Sequence, residues 1–342
     1  MSPRTAVVSR GLIAAVVALL VAAGAVLAVT GSEPQEDCCA PPPAQGAARG
    51  EWRALAPATL KRTEVAAARI GRFAYVVGGF EESSGQTVAT LERYDIRRNS
   101  WRRMRSTPIG VNHAVATAHR GKLYVHGGYM ARRDLSSATN RLYVYTPATN
   151  RWRRLADSRE PRAAHAFAAL GGRLYAAGGR NETADLTSME VYDVERRRWR
   201  RGPSFPGPRR DHMTGVAAGG FFYALAGREG NTLYRTAERY HPGRRRWQRL
   251  PPMRRARAGI ASAAVSRGRL VVFGGEDFGT GKTIQEVELF DPARRRWRSL
   301  PDMRTPRHGL GGVSLRNRVY AIEGGPQPGF HFADTIEFLD VR

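Results

Sequence analysis

Few side chains in this sequence combine reactive chemistry with a spacing that could organise it. The two cysteines, Cys38 and Cys39, are adjacent in a low-complexity stretch, and everything after them is cysteine-free. Adjacent thiols rarely bridge each other because the intervening peptide must distort, so neither a disulfide framework nor a cysteine-based metal site is available. Four of the eight histidines, His113, His165, His212 and His308, recur at a similar place in a repeating unit. We read that recurrence as inheritance with the repeat and assign no metal site to it. Arg162, Arg209, Arg228, Arg257 and Arg307 recur in the same segments, and guanidinium forks suit carboxylates and other polar ligands. For proton transfer the best constellation is Arg228-Glu229 with Glu323 or a neighbouring histidine, an acid/base pair beside a cation.

The elements that must hold these residues are set by an internal repeat. Across residues 51–342 one unit recurs six times. Its marks are Trp52, Trp101, Trp152, Trp199, Trp247 and Trp297, each followed 26 or 27 residues later by a small pair: Gly78-Gly79, Gly127-Gly128, Gly178-Gly179, Ala226-Gly227, Gly274-Gly275 and Gly324-Gly325. Tyr94, Tyr145, Tyr192, Tyr240 and Phe290 each precede the next tryptophan by seven positions. Alternating and β-branched runs fill the space between, which predicts four short strands per unit, a to d, with b ending at the small pair and d carrying the tryptophan. The glycines permit positive φ where strand b turns out, and the aromatic residues fill the space between wedge-shaped units. A Glu two residues before the aromatic position, at 92, 190, 238, 288 and 337, recurs in five of the six units and is assigned to the scaffold.

A strand ending in Gly-Gly, then Tyr-Asp, then Trp, then a turn such as Leu250-Pro251-Pro252-Met253-Arg254 resembles the Kelch repeat over all of residues 51–342. The resemblance implies an all-β, six-bladed β-propeller. The last unit lacks a strand d and residues 51–55 are a strand d without partners, so the N-terminal strand should close the last blade and cover two sheet edges. The b–c connection varies in length while the rest of the unit does not. The face carrying the b–c and d–a loops is therefore expected to bind, through Arg162, His165, Arg209, His212, Arg228, Arg257, Arg307 and His308, with Glu64, His113, Asp211 and Glu276 on the same face. The resemblance implies a non-catalytic recognition module for a protein or glycan partner. Its alternative is a sugar-acid mutarotase similar to the six-bladed sialic-acid mutarotases, in which Arg228, Glu229 and Glu323 would be the catalytic candidates. Galactose-oxidase-like chemistry would need a Cys–Tyr crosslink that this body cannot make, and no cofactor is expected.

Residues 11–30 are uncharged and follow Arg4 and Arg10, long enough for an N-terminal signal-anchor or signal helix over 1–30; residues 31–50 form a Pro/Ala/Gly-rich tether. The expectation is a single uncleaved span in the cell membrane with the propeller outside, the alternative being secretion after cleavage. Of 55 basic residues only Lys61, Lys122 and Lys282 are lysine, and the net charge is +25. Arginine drift explains much of it, yet the c–d turns hold enough arginine that the uniform face is expected to tolerate or touch an anionic membrane surface. The export signal argues against a nucleic-acid partner.

Overall fold

The computed structural model describes residues 50–341. The expected anchor over 1–30, and the expected tether up to residue 49, lie outside the described residues. Among those described, the only helical element is the turn Ser266–Gly268, and no helix is long and apolar enough to cross a membrane.

The β-rich sequence folds as six four-stranded antiparallel sheets in a propeller-like ring. Their innermost strands are Ala66–Ile70, Val115–His119, Ala166–Leu170, Thr214–Ala218, Ala261–Ala264 and Gly311–Leu315, and each abuts the next until the last meets the first. Small residues make this packing possible: Gly215 lies so close to Phe167 and Ala166 that a side chain could not enter. The inner strands enclose an axial cavity of about 370 Å³ lined largely by alanine, valine and glycine.

The ring closes through the expected N-terminal strand. Arg53–Ala54 pairs antiparallel with Ile336–Asp340, in the register Arg53↔Phe338 and Ala54↔Glu337. Trp52 is buried between the last two sheets, 5.8 Å from the Phe273 ring, with its indole N–H donating to Pro301 O at 3.0 Å. The other five tryptophans repeat that arrangement, donating to Ala56, Arg105, Ala156, Pro203 and Pro251 at 2.7–2.9 Å. Each indole thus ties its sheet to the residues following the outer strand of the preceding sheet, and Trp52 supplies the bond that completes the circle.

A second belt of bonds runs nearer the axis. The N–H of Gly79, Gly128, Gly179, Gly227, Gly275 and Gly324 each donates to a carbonyl of the next sheet, at Val111, Arg162, Arg210, Arg257, Arg307 and Arg62, over 2.8–3.0 Å. This corrects the frame of the last repeat. Glu323-Gly324, with φ of 55° and 97°, occupies the place assigned to Gly324-Gly325, and Gly325 instead bridges His308. The second position of the pair needs glycine: a Cβ on Gly79 would lie 2.5 Å from Thr63 O, and its φ is 89°. The first position has φ of 55–71° and holds Ala226 and Glu323 as well as glycine, because side chains can enter the left-handed region at modest cost.

The c–d turns emerge together on one face, with Arg196, Arg197, Arg198, Arg244, Arg245, Arg246, Arg294, Arg295 and Arg296 all exposed.

Trp52→Ala should lower the unfolding free energy by about 3 to 5 kcal/mol, the usual cost of removing a core tryptophan. Denaturant unfolding checks this, and a change below about 1 kcal/mol would mean that the closing strand contributes little to the ring.

Candidate functional site

The d–a and b–c loops of each sheet are bridged to each other, so they form one rim. The bridges are Thr63↔Phe80, Asn112↔Tyr129, Ala163↔Arg180, Asp211↔Arg228, Ala258↔Glu276 and His308↔Gly325. Immediately before the rim, five sheets bury an arginine completely: Arg62, Arg162, Arg210, Arg257 and Arg307. Each guanidinium bonds a backbone carbonyl at the end of strand b or beside it and pairs with the recurring glutamate: Arg62 with Glu92 at 2.9 Å, Arg162 with Glu190 at 3.3 Å, Arg210 with Glu238 at 2.5 Å, Arg257 with Glu288 at 2.9 Å and Arg307 with Glu337 at 3.1 Å. Two sequence expectations are corrected here. Arg162, Arg257 and Arg307 are fully enclosed and paired with their glutamates, so none of them presents a side chain at the rim surface. Arg209 is not their equivalent; that place is taken by Arg210, while Arg209 is exposed and pairs with Glu229 at 3.3 Å.

The next ring belongs to the axis. The residues entering the innermost strands are Glu64, His113, Ala164, His212, Gly259 and Gly309, all in the left-handed region with φ of 47–66°. That shared backbone brings three polar side chains together. His113 Nε2 lies 3.1 Å from Glu64 Oε2 and 3.1 Å from His212 Nε2. His113 Nδ1 is 2.7 Å from Asn112 Oδ1, and His212 Nδ1 is 2.9 Å from Asp211 Oδ2. Arg228 approaches from the rim, 3.1 Å from His212 Nε2, 3.2 Å from Glu276 Oε1 and 3.7 Å from Asp211 Oδ1. His308 Nε2 faces Glu64 Oε1 at 3.5 Å and Glu276 Oε2 at 3.4 Å.

Electrostatics in this cluster follow burial and neighbours. Loss of water raises the Glu64 carboxyl above its usual range, against the pull of His308 and His212. Burial, reinforced by His212 and Arg228, pushes His113 well below the ordinary histidine range. For His212 burial opposes the charged form, but the Asp211 carboxylate outweighs it and the net shift is upward. Asp211 is itself lowered: burial works against its charge, and His212 and Arg228 overcome it.

The four recurring histidines do not share one place. His113 and His212 sit on the axial ring, His308 lies one position earlier, and His165 lies one position later, turned into the sheet interface with its Nε2 2.9 Å from His126 Nδ1. The constellation Arg228, Glu229 and Glu323 is not assembled. Glu229 is half-buried beside Arg209 and accepts from the Tyr234 hydroxyl at 3.2 Å, whereas Glu323 is buried against Arg62 at 2.8 Å. Arg228 instead joins Glu64, His113, His212 and Glu276, a grouping that chain order hides. The signal existed in the spacing, since Glu64, His113 and His212 all stand fourteen residues before the first member of their small pair, while His165 stands thirteen before.

A family model described as the KLHDC2/KLHL20/DRC7 Kelch-repeats domain matches residues 64–261, and a Kelch motif model matches residues 261–304. The chain belongs to the Kelch-repeat family. Among similar proteins, Kelch-like protein terF of Aspergillus terreus is 31% identical over 193 residues, covering 51% of this chain and 42% of that protein. Kelch repeat and BTB domain-containing protein 12 of Danio rerio is 28% identical over 176 residues, covering 47% of this chain and 28% of that protein. The matches therefore span less than half the length of these curated relatives. The solved structure of YjhT superposes with a TM-score of 0.70 over 83% of this chain and 96% of that one, at 16% identity, which supports the Kelch ring as a shared fold.

One Kelch rim residue has a predictable titration. Arg62 serves two buried carboxylates, Glu92 and Glu323, and cannot fully neutralise both. Burial pushes Glu323 up to about 7, with Arg62 opposing, and its buried Oε2 has no donor to stabilise a charge there. The folded chain thus holds this proton more tightly than the unfolded chain. The linked stabilisation is complete below the ordinary value of 4.5 and is lost as pH rises through about 7. Glu323→Gln should remove up to one proton's worth of slope from the unfolding free energy across that window. Equal slopes in the two proteins would show that Glu323 is ionised throughout.

Proposed function

We propose that this chain is an extracytoplasmic recognition module whose six sheets act as six propeller blades and whose b–c and d–a loops bind a protein or glycan partner. One observation carries the reading: the large hydrophobic residues exposed among the described residues are Leu135, Phe278 and Phe330, and all three lie in b–c loops. The two phenylalanines are braced in position. Phe330 packs against Phe80 with ring centroids 4.5 Å apart and planes tilted by 45°, and the Arg228 guanidinium sits 4.9 Å from the Phe278 ring. Aromatic anchors beside Arg and mixed charge are what a recognition surface uses to bind a partner. The apolar run at 11–30 supports placing the module outside the cytoplasm, and the exposed arginine triplets of the opposite face suit contact with anionic headgroups.

A sugar-acid mutarotase is the second reading. Since Arg228, Glu229 and Glu323 are apart, such chemistry would fall to Glu64, His113 and Arg228, the acid, base and cation that do converge.

The test is crosslinking of the tagged chain in its native cells, with three versions compared. Leu135→Ser, Phe278→Ser and Phe330→Ser combined should lose at least tenfold in the recovery of specific partners. Replacing Arg196, Arg197 and Arg198 with Gln should retain them. Loss in the arginine variant alone would move the binding surface to the other face, and accelerated anomer exchange of a sugar acid would favour the enzyme.

A further inference from the structure

We propose that Glu64, His113 and His212 bind one first-row divalent transition-metal ion at the axis of the ring. The two ligand-atom separations that involve His113 already have the spacing of such a site. His113 Nε2 is 3.1 Å from both His212 Nε2 and Glu64 Oε2, and one ligand atom from each residue lies within 4.8 Å of the others. Tetrahedral ligation at ~2.0–2.1 Å separates ligand atoms by roughly 3.3 Å.

The tautomers point the same way. Asn112 Nδ2 donates to Thr87 Oγ1 at 2.7 Å, which turns its carbonyl oxygen toward His113 Nδ1. That oxygen can only accept, so Nδ1 carries the proton and Nε2 presents a bare lone pair. Asp211 Oδ2 faces His212 Nδ1 at 2.9 Å and favours the same tautomer. Two imidazole lone pairs and a carboxylate then converge on one point, an arrangement that is repulsive until a cation or protons occupy it.

Charge and space agree. Glu64, Asp211 and Glu276 are three carboxylates against one guanidinium, Arg228, so with neutral imidazoles the cluster carries two net negative charges that a divalent ion would cancel. Arg228 shares the His212 lone pair at 3.1 Å and is also held by Glu276, so it can surrender the first contact while keeping the second. In the adjoining sheet, Gly309 makes room for the carboxylate: a Cβ there would lie 2.5 Å from Glu64 Oε1. With Ala164 and Gly259 at the remaining ring positions, a three-ligand ion would keep open coordination sites, as ions of the Zn(II) and Fe(II) class do in His₂–carboxylate sites.

The experiment uses the full chain, stripped with a chelator and titrated with Co(II), followed by visible absorption and by elemental analysis after gel filtration. One equivalent per chain, with the intense d–d bands of a low-coordinate His site and displacement by Zn(II), is expected. His113→Ala and His212→Ala should each abolish it. The isosteric Glu64→Gln should weaken it at least tenfold, and exposed His331→Ala should leave it intact, with circular dichroism confirming that each variant is folded. Absence of a stoichiometric ion in the native chain would overturn the proposal and leave protons as the occupants of the cluster. Binding unchanged in the His113→Ala/His212→Ala double variant would also overturn it, by placing the metal elsewhere. The Leu135, Phe278 and Phe330 variant should still bind metal, which separates this proposal from the recognition reading.

Discussion

The bond on which this ring depends is the N–H of the second residue of each small pair donating into the next sheet. It exists only because strand b leaves its sheet through two consecutive left-handed residues, the second with a φ of 85–118° that glycine alone adopts without strain. The accepting carbonyl belongs to the rim arginine in five sheets and to Val111 in the other. Ring closure and rim geometry are therefore one constraint: the backbone of residue 62, 162, 210, 257 or 307 faces the neighbouring sheet, and its side chain turns back into its own. The guanidinium then meets the glutamate of strand c and a carbonyl at the end of strand b. An arginine at this place is committed to holding the loop roots together and is buried beyond the reach of a partner.

What the repeats share is structural, and what they do not share lies immediately above. The axial ring uses one backbone conformation six times but fills it with Glu, His, Ala, His, Gly and Gly. A symmetric backbone carrying an asymmetric set of side chains lets Glu64, His113 and His212 reach one another at the axis because the other three positions, Ala164, Gly259 and Gly309, are small. Arg228 and Glu276 belong to the next tier of the rim, Arg228 reaching His212, with Phe278 packed on Arg228. Scaffold and site are separated by a step of one or two residues along the same strand entry.

That small separation explains which parts were legible in the sequence. The tryptophans, small pairs and aromatics recur at spacings that tolerate one residue of drift, so repeat number, strand pattern and the closing role of Trp52 could be read directly. Side-chain direction tolerates no drift, because a shift of one residue in extended chain turns a group to the opposite side. Aligning Arg209 in place of Arg210 exchanges an exposed side chain for a buried one. Grouping His165 and His308 with His113 and His212 hides that only the latter two share the axial register. Gly324-Gly325 looked like the sixth pair by composition, although Glu323 takes its first position with a φ of 55°. The anchor and tether fall outside the described residues, so their reading rests on composition alone.

The second sheet shows what the buried ion pairs are for. Where the other five units have Arg and Glu, it has Val111 and Tyr143, both buried, and the two charged partners are replaced together. Its inter-sheet bond, from Gly79 to Val111, is 2.8 Å and no weaker in geometry than its charged counterparts. An apolar pair can therefore support the same closure, in keeping with the near balance between desolvation and attraction in buried salt bridges. Losing one partner alone is the costly change, since it strands a charge out of water. Both positions differing in one unit and both retained in five is the pattern that cost imposes. The arginines persist as pairs because each can leave only with its glutamate, and much of the expected ligand-binding arginine thus belongs to the interior of the scaffold.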